Sequence, residues 1–160
     1  MEMSVCRLRK GEELVRLLEE QGQLLLGRVA VASHALRLAK SYSGPVGQTV
    51  ELALRAMSTV LWEFYFDSKK RSRNVELDFY LATGFKLSLR EHRLTNRNRK
   101  LKRIRSVEWN GCWYDITPHV KLPQKGVDFR VHYAPDWGRS LIVIGSCGPH
   151  LETSGTRLSR

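Results

Sequence analysis

The apolar residues of the first 70 positions recur at the spacing of amphipathic helices. In TVELALRAMSTVLWEFYF, residues 49–66, they fall at i, i+3, i+4 and i+7, which places them on one helical face. The stretch 11–42 follows the same pattern, and Gly22 and Gly27 are expected to bend or split it. SGPVG at 43–47 is the predicted turn between the two stretches. The pattern therefore predicts an N-terminal helical hairpin.

After residue 74 the hydrophobic period changes to two, which is typical of strands. VELDFYL (75–81) and FKLSLR (85–90) each alternate apolar and polar positions, and the short ATG between them predicts a hairpin. A second hairpin is predicted at Asn110-Gly111, because Asn-Gly is a preferred pair for two-residue turns. A third joins DFRVHY to SLIVIG through the turn residues of APDWGR.

Helices followed by three hairpins predict an α+β fold, with an N-terminal helical hairpin packed on a mostly antiparallel sheet of about six strands. The 160 residues suffice for one domain with a helical part at 1–70, a sheet part at 75–150 and a polar tail at 152–160. Three dispersed cysteines, no apolar leader and no run of ~18 apolar residues favour a cytoplasmic protein without a membrane partner.

The formal net charge is +11, and most of the excess lies in the second half of the chain. The first 80 residues carry 12 Lys and Arg against 10 Asp and Glu, whereas the last 80 carry 15 against 6. RLTNRNRKLKRIR at 93–105 holds seven basic residues and no acid. A solvated surface normally mixes both signs, so this run favours a polyanion as partner. The alternative is a passive surface, or charge that protects a sheet edge from aggregation.

The expected nucleic-acid contacts are the basic residues of this run together with Trp137, which lies in a turn. They are Arg93, Arg97, Arg99, Lys100, Lys102, Arg103, Arg105 and Trp137. Aromatic faces beside arginines suit unpaired bases, which favours RNA over DNA. Trp109 and Trp113 flank the Asn-Gly turn, and the alternative for them is packing against each other across the hairpin.

Polar residues alternate with apolar ones along DFRVHY and share one strand face, which carries Asp128, Arg130 and His132. This face is either simply exposed to solvent, or it presents proton-transfer and phosphate-binding groups to RNA. RNA cleavage requires deprotonation of the 2′-hydroxyl, neutralisation of the phosphorane and protonation of the leaving oxygen. The candidate catalytic residues are Arg130 and Arg139 as charge clamps, and His132 or His150 for proton transfer. We expect no metal and no cofactor, because the chain lacks clustered ligands, a Walker loop and a dinucleotide fingerprint.

The segment DFRVHYAPDWGRSLIVIGSCGPH at 128–150 resembles the terminal hairpin of RelE/ParE-type bacterial toxins. In that family an Arg-containing strand, an Asp-bearing turn and an apolar strand precede a basic or His-bearing end. The resemblance implies a small α+β ribonuclease, a bacterial or archaeal context and neutralisation by an antitoxin. It also implies phosphate and proton-transfer roles for Arg130, Arg139 and His132 or His150. Those toxins are usually shorter and open with a strand, whereas this chain opens with helices.

Three classes of function remain open at this point. One is a metal-independent endoribonuclease that acts as a toxin-like effector. Another is a non-catalytic nucleic-acid-binding subunit of a larger ribonucleoprotein or defence complex, whose helical hairpin docks on a protein partner. The last is a protein-interaction module for an acidic partner, which would use the same charge without nucleic acid.

Overall fold

The computed structural model of the chain describes residues 10–24, 27–42, 48–124 and 127–153. The helices are α1 (Lys10–Leu24), α2 (Ser33–Ser41), α3 (Gln48–Ala56), a π-helical turn (Met57–Leu61), α4 (Trp62–Phe66), α5 (Val75–Thr83), α6 (Arg93–Arg97) and α7 (Arg99–Arg103). The strands are β1 (Val29–Val31), β2 (Lys86–Ser88), β3 (Ser106–Trp109), β4 (Cys112–Asp115), β5 (His119–Gln124), β6 (Val127–Asp136) and β7 (Leu141–Pro149).

Five strands form a mixed sheet in the order β1-β7-β6-β5-β2. β1 is parallel to β7, and the other neighbours are antiparallel. The pair β6–β7 runs from Asp136 opposite Leu141 to Phe129 opposite Pro149, with a register shift between His132 and Tyr133. β3 and β4 form a separate two-stranded sheet. The fold is therefore α+β, with five strands in one sheet and two in another where about six in one sheet were predicted.

One face of the large sheet packs on the helices and makes the main core. Phe129, Val131 and Tyr133 of β6 are buried there against helical residues such as Leu54 and Leu61. The hydroxyls of Tyr65 and Tyr133 meet at 2.7 Å, which pairs the polar ends of two buried rings. Burying one large apolar side chain contributes about 1.5–3 kcal/mol, so this layer dominates the stability of the domain.

The other face of the large sheet is covered by the β3–β4 hairpin. A small second cluster joins Ala32, Val107, Ile116 and Ala134. The approach is close at Gly145, where an added Cβ would lie 2.6 Å from Cγ2 of Ile116. Glycine is required at this point of β7 because the hairpin leaves no room for a side chain.

The predicted strand at 75–81 is wrong, since this segment is helix α5. The side chain of Asn74 accepts a hydrogen bond from the Leu77 amide at 3.3 Å, and Gly84 ends the helix with φ of 76°. Both are standard helix-end signals. The hairpin between 75–81 and 85–90 is wrong for the same reason, and β2 pairs with β5 instead.

The stretch 11–42 is not one helix, because β1 separates α1 from α2, and the predicted N-terminal helical hairpin is therefore not confirmed. Gly27 has φ of 88° just before β1, so the predicted split occurs there. Val29 then pairs with Ile142 and Val31 with Ile144, which joins this stretch to the sheet. The predicted turn at 43–47 and most of the polar tail, residues 154–160, lie outside the described residues.

The two later hairpins are confirmed. Asn110 and Gly111 have φ of 50° and 74°, the positive values that a tight two-residue turn needs. Trp109 lies opposite Cys112 and Trp113 opposite Glu108, so the two tryptophans point to opposite faces and do not pair across the hairpin. No helix in the described ranges has the length and apolar character needed to cross a membrane.

Candidate nucleic-acid interface and the polar face of the sheet

The basic run forms two short helices, α6 and α7, that meet at Asn98. Its side-chain oxygen accepts hydrogen bonds from the amides of Lys100 and Leu101, at 3.0 and 3.2 Å, and so caps α7. Leu101 and Thr95 are buried and fix the two helices to the protein. The remaining surface of these helices is left to the charged side chains.

Six cations of this run are exposed: Arg93, Arg97, Arg99, Lys100, Lys102 and Arg103. We refer to them as the basic surface. Within the described ranges, none of the six has a carboxylate within 4.0 Å. Positive charge is therefore concentrated on one short segment without internal neutralisation.

Arg105 does not belong to this surface, which corrects the prediction that it contacts nucleic acid. Its side chain is 1% exposed and pairs with the buried carboxylate of Glu91 at 3.1 Å. It also donates to the carbonyl oxygens of Leu101, at 2.9 Å, and Glu152, at 3.0 Å. Arg105 therefore ties α7 to the segment before α6 and to the end of the described chain.

Arg130 and Asp128 share the polar face of β6, as predicted. The guanidinium of Arg130 donates to both carboxylate oxygens of Asp128, at 3.2 and 2.9 Å, and this bond lowers the pKa of Asp128. Nη1 of Arg130 lies 3.0 Å from Nε2 of His119 on β5. The result is a polar cluster that spans two neighbouring strands.

His132 packs against His119 beneath this cluster, with ring centroids 4.7 Å apart and the ring planes tilted by 37°. Its side chain is fully buried, and its Nδ1 lies 2.9 Å from the carbonyl oxygen of Ile116. Its Nε2 is buried with no hydrogen-bond partner among the described residues. The predicted proton transfer from His132 to a substrate has no surface access in this structure, because the hairpin and the segment before α6 cover this face of the sheet.

Burial keeps both of these imidazole rings uncharged. It lowers the pKa of His132 to about 3, with the neighbouring His119 adding to the effect. It lowers the pKa of His119 to about 4, although the hydrogen bond to Thr117 opposes the shift. Both rings are therefore neutral at pH 7.

His150 and Arg139 lie at opposite ends of the β6–β7 hairpin. The backbone amide of His150 donates to the carbonyl oxygen of Asp128 at 2.8 Å, and burial followed by Arg130 lowers the pKa of its imidazole. Arg139 lies in the turn after β6. It is more than about 20 Å from Arg130 along the chain, because the six residues from Arg130 to Asp136 alone span that length of strand. The structure thus brings Arg130, His132 and His150 into one region and leaves Arg139 outside it.

Arg139 belongs to a second polar group at the turn end of the hairpin. It donates to Asp136 and to the hydroxyl of Tyr114, each at 3.0 Å, and its guanidinium lies 5.5 Å from the ring centroid of Trp109. The hydrogen bond from Tyr114 to Asp136, at 2.6 Å, raises the pKa of Tyr114 to about 12 and lowers that of Asp136. These contacts hold Arg139 in place at the surface.

Trp137 is 56% exposed, as its place in a turn predicted. Its ring packs edge-on against Tyr65 and Phe66, and Arg71 lies 5.5 Å from its centroid. Part of the ring is therefore engaged by the protein itself. A more open aromatic surface is Trp113, at 72% exposure, which was not among the predicted contacts.

Sequence reasoning missed two other residues of the site, Glu91 and His119. Glu91 is the single acid next to the basic run. A lone carboxylate beside so many cations indicates an ion pair with one of them, and this was the signal available in the sequence. The role of His119 depends on the β5–β6 register, which sequence alone did not supply. Across the described residues, no group of three His, Cys, Asp or Glu side chains is placed to hold a metal ion.

Comparison with known proteins yields no relative for this chain: no family model, no curated protein and no solved structure matches it.

Proposed function

We propose that this protein binds nucleic acid, RNA in preference to DNA, through phosphate contacts made by the basic surface. The observation that carries the proposal is the set of six exposed cations on α6 and α7 that lack carboxylate partners among the described residues. Each phosphate that a cation neutralises releases condensed counterions, which favours binding at low salt. Six contacts to a single strand correspond to a slope of about −4 in log K against log salt.

Two arginines on other helices show the mixed-charge surface with which the basic surface contrasts. Arg16 pairs with Glu20, and Arg55 with Glu51, each at 2.9 Å and four residues apart on a helix. Such pairs make the mixed surface expected of ordinary solvated helices. The basic surface has no such pairs within the described ranges, so its charge is left available for an external anion.

A metal-independent endoribonuclease is the second candidate, and the grouping of Arg130, Asp128 and His150 favours it. Arg130 would neutralise the phosphorane, while the half-buried His150 would take the proton of the 2′-hydroxyl and return it to the leaving 5′-oxygen. The resemblance of 128–150 to RelE/ParE-type toxins implies the same chemistry. Arg139, at the other end of the hairpin, would then contact a more distant phosphate.

A non-catalytic subunit of a ribonucleoprotein or defence complex would use the same basic surface. It requires a protein partner, and helix α5 offers an apolar face for one, with Leu77, Tyr80 and Leu81 each about half or more exposed. An antitoxin would be the partner in the toxin case. Two of the three cysteines, Cys112 and Cys147, are free thiols, which suits the reducing cytoplasm that we propose as the location.

Binding and cleavage are tested separately. Titration of matched single-stranded RNA and DNA across a range of salt tests the first proposal, which expects a steep salt slope and tighter RNA binding. Incubation of the same RNA with the protein in EDTA tests the second. Salt-dependent binding without cleavage would leave the non-catalytic subunit as the function.

A further inference from the structure

A pocket of about 450 Å³ lies between the start of α2 and the β3–β4 hairpin, and none of the six residues of the basic surface lines it. Its volume is within the range of small-molecule sites. The side chains that give it chemical character are His34, Arg37, Glu108, Trp109, Asn110 and Trp113. An aromatic ring, an amide, a carboxylate and a guanidinium thus line one recess.

Trp113 is the most unusual of these residues because 72% of it is exposed. Its ring makes no aromatic or cation–π contact with any described residue, whereas Trp109 packs near Tyr114 and Arg139. Trp113 lies directly opposite Glu108 in the hairpin register. Their Cβ atoms are therefore about 5 Å apart on one face, with the carboxylate beside the ring.

The charge of the pocket differs from that of the basic surface. Of its described lining residues, Arg37 is the cation and Glu108 the carboxylate, so the two charges cancel. Burial, followed by the nearby Arg37, lowers the pKa of His34, which is therefore neutral at pH 7. A recess without net charge suits a neutral planar group better than a phosphate.

We infer, on the basis of the RNA binding proposed above, that this pocket holds one unpaired base of the bound strand, with guanine preferred. The base would stack on Trp113, as bases do on exposed aromatic side chains of single-strand binders. Guanine is preferred because its N1–H and N2–H groups can both donate to the carboxylate of Glu108. The Watson–Crick edges of adenine and cytosine each have an acceptor beside a single donor group, and that of uracil has one donor between two acceptors. None of these three bases can therefore donate two adjacent hydrogen bonds to a carboxylate.

The pocket lies within reach of a strand held on the basic surface. Arg103, the last residue of α7, precedes Glu108 by five residues, so their Cα atoms are at most about 18 Å apart. A few nucleotides of extended RNA span that distance. The phosphates of such a strand would lie on α6 and α7 while one of its bases enters the pocket.

The test uses fluorescence anisotropy with three probes: an oligouridine, the same oligomer with one central guanosine, and an RNA duplex of equal length. Wild type is expected to prefer the guanosine oligomer. Trp113→Ala should weaken its binding by about 10- to 100-fold and leave duplex binding unchanged. Trp113→Phe should retain most of the affinity, and Glu108→Gln should remove the preference for guanosine.

Leu52→Ala is the matched control, because Leu52 is a half-exposed apolar residue on α3, outside the pocket. It should bind all three probes as wild type does. Wild-type affinity of Trp113→Ala for the guanosine oligomer, or no preference of wild type for guanosine, would overturn the base site while leaving backbone binding intact. A wild-type protein that binds no RNA would overturn both.

Discussion

Nη1 of Arg130 lies 3.0 Å from Nε2 of His119 across the β5–β6 pair. A guanidinium only donates, so Nε2 of His119 accepts and its proton stays on Nδ1, which donates to the carbonyl oxygen of Thr117 at 3.0 Å. His132 likewise directs Nδ1 to the Ile116 carbonyl oxygen. Two adjacent, neutral imidazoles with the same tautomer thus lie under Arg130.

The first prediction follows from the lowered pKa values of these two histidines. Both are neutral in the folded protein down to about pH 4, whereas in the unfolded chain they are protonated below their ordinary value of ~6.5. The unfolded state therefore binds more protons as pH falls. The free energy of unfolding should fall by up to about 1.4 kcal/mol per pH unit for each histidine between pH 6.5 and 4.

Urea unfolding at several pH values measures this dependence. His132→Gln serves as the comparison, since it removes one of the two histidines whose pKa is lowered most, and its stability should fall less steeply with pH. An equal stability of wild type at pH 7 and pH 4.5 would contradict the assignment of two buried neutral histidines.

The polar strand face shows how far the sequence could predict this site. Alternation correctly placed Asp128 and Arg130 on one face, because strand periodicity is a local property. Burial of His132 could not be predicted this way, because it depends on cover from the β3–β4 hairpin and the segment around Glu91, which is distant in sequence. The pairing of Arg130 with His119 depends on strand register for the same reason.

Local patterns were also ambiguous at α5. Val75, Leu77, Phe79 and Leu81 alternate like a strand, yet only Phe79 of these is fully buried, and Leu81 is 72% exposed. The capping residues Asn74 and Gly84 indicated a helix, but the prediction gave more weight to the apolar alternation, which indicated a strand. In β1, three residues within a helix-like apolar run pair with β7, a long-range contact that local periodicity does not reveal.

The second prediction concerns the buried ion pair of Arg105 and Glu91, whose side chains are 1% and 8% exposed. Arg105→Met should destabilise the protein by about 3–5 kcal/mol, because it leaves the carboxylate of Glu91 buried without its partner. Arg105→Met combined with Glu91→Leu should recover part of that loss. Chemical unfolding checks both variants, and a single variant as stable as wild type would show that the pair does not anchor α7.

The third prediction tests the close packing of the hairpin on β7. Gly145→Ala places a methyl group within 2.6–2.9 Å of Ile116 and Val107 side-chain atoms, so it should cost about 1–3 kcal/mol. Gly148→Ala, on the same strand with no atom within 4 Å of an added Cβ, is the control and should be near neutral. Equal melting temperatures for the two variants would mean that the hairpin does not lie on β7 as described.

The fourth prediction addresses catalysis. If the protein cleaves RNA in EDTA, His150→Ala should lower the cleavage rate by about 10²- to 10⁴-fold while RNA binding is retained, because a positioned acid or base contributes that much. His92→Asn is the control, since His92 is an exposed histidine whose side chain caps α6, and asparagine retains a cap at this position. Undiminished cleavage by His150→Ala would remove His150 from the mechanism.

The salt dependence of RNA binding tests the central proposal most directly. The informative variant replaces Arg97, Arg99, Lys100, Lys102 and Arg103 by glutamine, and its control replaces the exposed Arg16, Lys40, Arg55, Lys69 and Arg73, which removes the same charge elsewhere. The slope of log K against log salt should become shallower by about 0.7 per lost phosphate contact in the first variant and change little in the control. Equal slopes and affinities for wild type and the first variant would contradict phosphate binding by the basic surface.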